Sequence, residues 1–178
     1  MFKIRNIISS ITLYSDVIII NLLSLIIGVV AYEYFEKIEI LVAVIATGVS
    51  LSLGIRQYRT ENDKLFKELF YDFNKKYDST FNNTLNSIDI EFKEKGNYEL
   101  SISDRKIIID YINMCAEEYL WYTKNRIPSE VWISWKNGMI YFMNIKPINE
   151  IVINQKIQKD SFYGLFDEIE KEINNWKK

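Results

Sequence analysis

The sequence predicts an all-α membrane protein, in which an N-terminal two-helix transmembrane hairpin precedes a cytoplasmic helical domain. Three observations predict this class. Two nearly uncharged stretches, residues 6–32 and 40–55, lie close together near the N-terminus. Beyond them, apolar residues recur at helical spacing. Caps and prolines then divide this remainder into helices. We therefore expect a hairpin over residues 1–58 and a helical domain over residues 59–178.

The two apolar stretches differ in length. A spanning helix needs about 20 apolar residues, which residues 11–32 supply. Residues 40–55 cover about 24 Å at about 1.5 Å per residue, and they span if Ile38 and Tyr58 extend them and Arg56 snorkels to the headgroups. The alternatives are a soluble helical hairpin, or a cleaved signal peptide for the first stretch. Neither helix shows the polar face of a soluble hairpin, and no small-x-small pattern followed by polar sequence marks a cleavage site.

Charge predicts the orientation of the hairpin. Lys3 and Arg5 precede the first helix, Arg56 and Arg59 follow the second, and the link at residues 33–39 carries three Glu and one Lys. Because Lys and Arg collect on the cytoplasmic side, both termini should be cytoplasmic. The many Ile, Asn and Lys are typical of an AT-rich bacterial genome, so the bilayer should be a bacterial inner membrane.

Small and polar residues recur along both membrane helices. Small residues at i, i+4 spacing let helices approach closely, and an ionisable group within a span usually faces protein or water. One interpretation is ordinary packing within the hairpin, with Asp16 at the interface. The other is a homo-oligomer whose face lines a pore or a wet seam. The residues concerned are Asp16, Asn21, Ser24, Gly28, Ala46, Ser50 and Gly54.

Composition excludes several kinds of site. The chain has no histidine, one cysteine and six glycines, none of them grouped as a phosphate-binding loop. Zinc sites of the His/Cys type and Ser-His-Asp or Cys-His catalysis are therefore excluded. With 22 basic and 24 acidic residues, a general nucleic-acid surface is not expected. We expect no metal, no cofactor and no enzymatic activity.

The elements of the cytoplasmic domain follow from local signals. Residues 56–77 contain no Gly or Pro, which predicts that the second membrane helix continues into the cytoplasm. A short helix follows around residues 81–88, then a loop over residues 89–103. Ser103 is the expected N-cap of a helix that runs to about Arg126. Pro128 and Pro147 each start a helix, the second ending near Gln155, and Asp160 or Ser161 caps the last one.

The densest cluster of unusual residues lies on two predicted helices joined by a tight turn. Aromatic faces beside cations can hold a nucleotide base and its phosphate, or a peptide. They equally make a good helix–helix core, and both interpretations stay open. The candidate ligand or partner residues are Trp121, Tyr122, Lys124, Arg126, Trp132, Trp135 and Lys136.

Acidic residues and a thiol lie in the same region. Glu117 and Glu118 are adjacent, so they point about 100° apart on a helix and cannot face one substrate as a pair. Asp110 and Glu117 share a face better, at about 10 Å along the axis, but nothing beside them completes a catalytic site. Cys115 lies on the apolar face and should be a buried small hydrophobe rather than a reactive thiol.

A resemblance is carried by two motifs in this region, Cys-Ala-Glu-Glu-Tyr-x-Trp-Tyr at residues 115–122 and Val-Trp-x-x-Trp-x-x-Gly-Met at residues 131–139. The chain resembles a group of uncharacterised small bacterial membrane proteins that share a two-helix anchor and a cytoplasmic helical domain. The match covers roughly residues 57–176. By architecture the chain is also similar to two-helix membrane effectors of anti-phage defence systems, which implies a cytoplasmic sensor domain that controls membrane damage.

Two hypotheses of function follow. In the first, the chain is an oligomeric inner-membrane effector whose cytoplasmic domain binds a protein or nucleotide signal and whose hairpin perturbs the bilayer. In the second, it is a passive anchored scaffold that recruits a soluble partner through its aromatic helices. An enzyme acting on lipid or nucleotide would require Asp110 or Glu117 to be essential for activity.

Overall fold

The computed structural model describes residues 2–158 and 161–176, with side chains for residues 15–158 and 161–172. Within these ranges every regular element is helical, which confirms the predicted all-α class. The elements are α1 (Phe2–Phe35), α2 (Ile38–Lys76), a π-helical turn (Tyr77–Phe81), α3 (Asn82–Lys95), α4 (Ile102–Thr123), α5 (Ser129–Met143), α6 (Lys146–Gln155) and α7 (Leu165–Trp176).

The chain forms two compact units, Met1–Lys64 and Leu65–Lys178. The boundary falls inside α2, which is a single helix from Ile38 to Lys76. The uninterrupted helix predicted to reach Tyr77 therefore ends one residue earlier, where the π-helical turn begins. The predicted domain division after Tyr58 stays a prediction.

The first unit is a hairpin whose two helices approach closely along what we call the hairpin seam. The Asn21 side-chain amide donates a hydrogen bond to the Ser52 hydroxyl at 2.7 Å. A Cβ atom at Gly48 would lie 2.0 Å from the Ser24 hydroxyl oxygen. A Cβ at Gly28 would likewise lie 2.9 Å from a methyl carbon of Leu41. The two glycines therefore permit this separation of the helices, and larger side chains would force them apart.

The outward surfaces of this hairpin are strongly apolar. Both helices are long and apolar enough to cross a membrane, the first over Ser15–Phe35. Only 6% of the apolar window in α1 and 11% of that in α2 is buried within the chain, whereas a core helix of a soluble domain would be mostly buried. Leu22, Ile26 and Val30 are 55%, 58% and 63% exposed. The chain itself therefore leaves this apolar surface uncovered.

The link between α1 and α2 is much shorter than the seven residues predicted. Only Glu36 and Lys37 lie between the helices, and Glu36 has a left-handed φ of 52°. The Glu36 amide still donates to the Tyr32 carbonyl at 2.7 Å. The prediction was wrong because the acidic residues mark the end of the apolar span, whereas the helical hydrogen bonds continue past it.

The loop predicted over residues 89–103 is also mostly helical. α3 continues to Lys95 and ends at Gly96, whose φ of 72° suits a left-handed helix cap. The polar residues that suggested a loop form i, i+4 ion pairs instead, with Lys93 on Asp89 at 2.8 Å and Lys95 on Glu91 at 2.6 Å. Such pairs support a helix whose other face is buried.

Two helices begin at residues other than those predicted. The N-cap of α4 is Ser101 rather than Ser103, because Asp104 stands three residues after Ser101 and completes a capping box with it. The last helix begins at Leu165 because Tyr163 and Gly164, with φ of 53° and 86°, are both left-handed. Ser161 therefore does not cap it, and Asp160 lies outside the described residues.

The second unit is built around a core that draws on every helix after α1. Its largest fully buried side chains come from the π-helical turn and from α3 to α7. Cys115 is 0% exposed, which confirms the predicted buried thiol. The most deeply buried members are Phe81, Leu85, Ile88, Ile108, Ile112, Trp132, Met139, Ile140, Ile148 and Leu165.

Candidate functional site

A cavity of about 170 Å³ lies within the second unit, between α2, α4 and α5. Its walls are largely aromatic, and one acidic side chain reaches into it. We call it the Glu118 cavity. Its principal lining residues are Phe73, Tyr77, Tyr111, Glu118, Trp135 and Phe142.

Helical spacing places the acid in this cavity. Tyr111, Met114 and Glu118 follow one another at i, i+3 and i+7 on α4, so all three lie on one face of the helix. Glu118 is 5% exposed. Among the described residues none donates a hydrogen bond to its carboxyl group, although a buried polar group normally has a partner. The carboxyl is therefore available to a molecule that enters the cavity.

The protonation state of this carboxyl follows from its surroundings. Burial and, to a smaller extent, the neighbouring Glu117 charge raise the pKa of Glu118 to about 8, although the Lys76 ammonium partly opposes them. A group with a pKa of about 8 is about 90% protonated at pH 7. Glu118 is thus mainly a neutral acid at neutral pH, able to donate a proton or to ionise when a cation approaches.

The aromatic walls are held by contacts with one another. The Trp135 ring stacks on Phe70 at 5.8 Å and meets Phe73 edge-on at 5.9 Å. Tyr111 packs near Phe142 at 6.3 Å and near Tyr77 at 6.2 Å. Burial raises the pKa of both tyrosines, so their hydroxyls stay neutral. The cavity therefore presents fixed ring faces and one ionisable group.

This arrangement restricts the chemistry available. Within the described residues no group of three or more Cys, Asp or Glu side chains could hold a metal ion. A single carboxyl among aromatic faces can bind a cation through its charge and the ring faces.

The seven aromatic and basic residues predicted as a ligand or partner site lie in different local contacts. Trp135 alone of them lines the Glu118 cavity. Trp132 is 1% exposed and stacks on Tyr122 at 5.0 Å, so both belong to the packing between α4 and α5. The Lys124 ammonium lies over the Trp121 ring at 5.5 Å, and Arg126 is half-buried in the turn after α4.

Lys136 does not line the Glu118 cavity and instead forms ion pairs with α7. It is 7% exposed and donates to Glu168 at 3.1 Å and to Glu172 at 3.0 Å, which ties α5 to α7. Burial alone would lower the pKa of Lys136, but these two hydrogen bonds outweigh burial and raise it. Its ammonium is therefore occupied by protein carboxylates.

Sequence reasoning missed most of the cavity. Glu118 was considered only as a partner for Glu117, which the structure places on the exposed surface of α4. The available signal was that Glu118 follows Cys115 by three residues on the apolar face of α4, where a charge is unexpected. The contributions of Phe73 in α2 and Tyr77 in the π-helical turn had no sequence signal, because they depend on how these segments pack against α4.

The residues predicted to form an oligomer or pore face divide between two sides of the hairpin. Four of them lie on α1 along the hairpin seam: Asp16, Asn21, Ser24 and Gly28. Asp16 forms an ion pair with Arg59, and Asn21 bonds Ser52. The side chains of Asp16 and Asn21 are thus engaged within one chain.

The other three lie on α2 and point away from the hairpin seam. Ala46, Ser50 and Gly54 are exposed, and we call them the outer α2 face. Gly48 and Ser52, each two residues from a member of this face, are buried in the hairpin seam. Two residues correspond to about 200° around a helix, so the two sets occupy opposite sides of α2. A shallow groove follows the outer α2 face.

Comparison with protein-family models, with curated proteins and with solved structures found no match to this chain. The resemblance to small bacterial membrane proteins therefore stays a prediction. The hairpin and the Glu118 cavity are the features on which a function can be proposed.

Proposed function

We propose that the chain is a bacterial inner-membrane effector or sensor. Its hairpin spans the bilayer with both termini cytoplasmic and associates with other copies of the chain. Its helical domain binds a signal, and binding changes how the hairpin perturbs the membrane. The resemblance to anti-phage effectors favours a role in antiviral defence.

One observation carries this proposal: the outer α2 face is left exposed although the hairpin has its own glycine-containing seam. Packing within the hairpin uses Gly28 and Gly48, which lie against Leu41 and Ser24. Gly54, in contrast, has no described atom within 4 Å of a Cβ built on it. In lipid, small residues favour close helix contacts, so this second set is suited to another chain.

The Ser50 hydroxyl also permits the outer α2 face to lie against lipid or another helix. The Ser50 hydroxyl donates to the Ala46 carbonyl at 2.8 Å, within its own helix. A polar group satisfied in this way can face lipid or a neighbouring helix without a large cost. The outer α2 face can therefore exist in a monomer and become covered in an oligomer.

α2 also supports a route from signal to membrane. It carries the outer α2 face near its beginning, and Phe73 and Tyr77 of the Glu118 cavity lie at and just beyond its end. A ligand that fills the cavity contacts this end of the helix. A shift of α2 is then the expected means by which the signal reaches the hairpin.

A pair of matched variants tests the proposal. Gly54→Leu should leave the hairpin intact and reduce oligomers on native gels from membrane extracts, because it enlarges only the outer α2 face. Val30→Phe, on the exposed surface of α1, also adds four carbon atoms and should change nothing. Unchanged oligomers in Gly54→Leu would contradict the proposal.

A second experiment distinguishes an effector from a passive scaffold. Expression with a membrane-potential dye should show depolarisation that Gly54→Leu reduces. Replacement of residues 1–58 by an unrelated two-helix anchor should abolish it. A swapped chain that keeps full biological activity would favour a scaffold that recruits a partner through its aromatic helices.

A further inference from the structure

The Glu118 cavity combines features that are seldom found together without a ligand. Its acid is 5% exposed and receives no hydrogen bond from the described residues. Its floor is also buried, with Tyr111 at 3% and Met139 at 2% exposure. Ser134 and Gly138, at its rim, are exposed, so the space opens to solvent. A buried carboxyl that accepts no hydrogen bond from the described residues, in a space that solvent can reach, is available to a positively charged ligand.

The size of the cavity limits what can enter. A buried space of about 150 Å³ holds a benzene molecule, so 170 Å³ admits a compact ligand of roughly that size. A nucleotide is too large to enclose. A small trimethylammonium compound fits this range.

We propose that the Glu118 cavity binds a small soluble alkylated ammonium cation, with the Glu118 carboxylate as its counter-ion and the rings of Tyr77, Tyr111 and Trp135 around its alkyl groups. Aromatic faces attract cations through their quadrupoles, and quaternary ammonium groups are recognised in this way. This inference deepens the proposed function, since it names the chemistry of the signal, and its binding experiment is independent of membrane perturbation.

The lining favours an alkylated cation over a primary ammonium. A primary ammonium brings three donors that each need an acceptor once buried. Beside the single carboxyl, the lining consists mainly of ring faces and the Met114 and Met139 side chains; its other polar side chains are the half-buried Asn74 and Ser134 at the exposed rim. A trimethylated nitrogen has no donor to satisfy and spreads its charge over methyl groups that pack against rings.

Binding must compete with the proton on Glu118. The charged and titratable groups around this carboxyl are Glu117 and the Cys115 thiol on its own helix, Lys76 on α2, and the hydroxyls of Tyr77 and Tyr111. The α5 wall adds no ionisable side chain to the cavity lining. Because the pKa of Glu118 is about 8, the ionised form rises about tenfold between pH 7 and pH 9. The apparent affinity for a cation should rise by the same factor.

The test is calorimetric titration of the full chain in maltoside micelles, which carry no ammonium group. Choline is the probe, and 3,3-dimethylbutan-1-ol, its uncharged isostere, is the matched control ligand. We expect choline to bind at least tenfold more tightly than the alcohol at pH 9, and to release close to one proton per site at pH 7. Measurements in two buffers of different ionisation enthalpy give the number of protons released.

Two variants locate the interaction. Glu118→Gln keeps the shape of the side chain, and it should weaken choline binding at least tenfold, remove the pH dependence and leave the alcohol unaffected. Trp135→Leu keeps an apolar wall but removes a ring face, so it should also weaken choline selectively. Equal binding of the two ligands, pH-independent choline binding, or no binding at millimolar choline would overturn the proposal.

The headgroup of phosphatidylcholine carries the same trimethylammonium chemistry. Choline affinity is therefore compared in nanodiscs of phosphatidylglycerol with and without phosphatidylcholine. Equal affinities support a soluble cation, and competition by the choline lipid would contradict it. Choline binding without any effect on membrane potential would leave the binding site intact and count against the proposed effector role alone.

Discussion

Replacement of Glu118 by Gln should stabilise the protein, by an amount that grows with pH. The carboxyl has a pKa of about 8 when folded, against 4.5 for an ordinary glutamate. Between these values the folded chain binds one proton more than the unfolded chain. Stability therefore falls by about 1.4 kcal/mol per pH unit as pH rises through this window. Gln cannot ionise, so this loss disappears in the variant.

The expected magnitude follows directly. Relative to the native chain, Glu118→Gln should gain nothing at pH 4, about 3 kcal/mol at pH 7 and about 5 kcal/mol above pH 8. Because Glu118 is almost completely buried, solvent screening reduces this effect little. A gain of about 3 kcal/mol is a large fraction of the stability of a domain of this size.

Guanidinium unfolding of the full chain in maltoside micelles, followed by tryptophan fluorescence between pH 4 and pH 9, measures this difference. Glu117→Gln is the matched control, since it removes the adjacent but exposed carboxylate. This control should change the pH dependence of the unfolding free energy only slightly. A difference between Glu118→Gln and the native chain that stays below about 1 kcal/mol from pH 5 to pH 8 would refute an ionisable buried carboxyl in the cavity.

Three further predictions use the same unfolding assay. Gly138→Ala should stabilise α5 by about 0.5–1 kcal/mol, because a Cβ there meets no described atom within 4 Å and glycine is costly within a helix; a loss would show that the site cannot accept a methyl group. Lys136→Met should cost about 2 kcal/mol because it strands two partly buried carboxylates, whereas Lys124→Met should cost well under 1 kcal/mol. Tyr141→Phe should cost about 1 kcal/mol at pH 7, since its hydroxyl donates to Asp89 at 2.6 Å. Burial raises the pKa of Asp89, but hydrogen bonds from Lys93 and Tyr141 outweigh it and lower the pKa overall. The Tyr141 contribution should therefore be full above about pH 5 and vanish below the lowered pKa; a cost that does not change with pH would contradict it.

Local signals in the sequence predicted the helical class but not every boundary. Local backbone preferences are carried directly by the sequence. They account for the helix starts near Pro128 and Pro147 and for the uninterrupted course of α2. The polar composition after Asp89 suggested a loop, but ion pairs within α3 stabilise a helix there. Composition alone cannot distinguish a polar loop from the solvent face of an amphipathic helix.

The candidate functional features depend on contacts that spacing does not specify. Small residues recur on both α1 and α2, yet only the register that pairs Asn21 with Ser52 decides which of them meet. That register places Gly48 in the hairpin seam and leaves Gly54 outside it. The Glu118 cavity likewise needs α2, α4 and α5 together, so no single segment of sequence reveals it.

Cysteine cross-linking in native membranes tests the central claim most directly, namely that copies of the chain meet through the outer α2 face. The single native cysteine, Cys115, is fully buried and should not react. Under mild oxidation, Ser50→Cys should form a covalent dimer. Ser52→Cys, in the hairpin seam, and Val30→Cys, on the exposed surface of α1, should not. Cross-linking of Ser50→Cys no stronger than that of Val30→Cys, or a dimer through Ser52→Cys alone, would contradict the assignment.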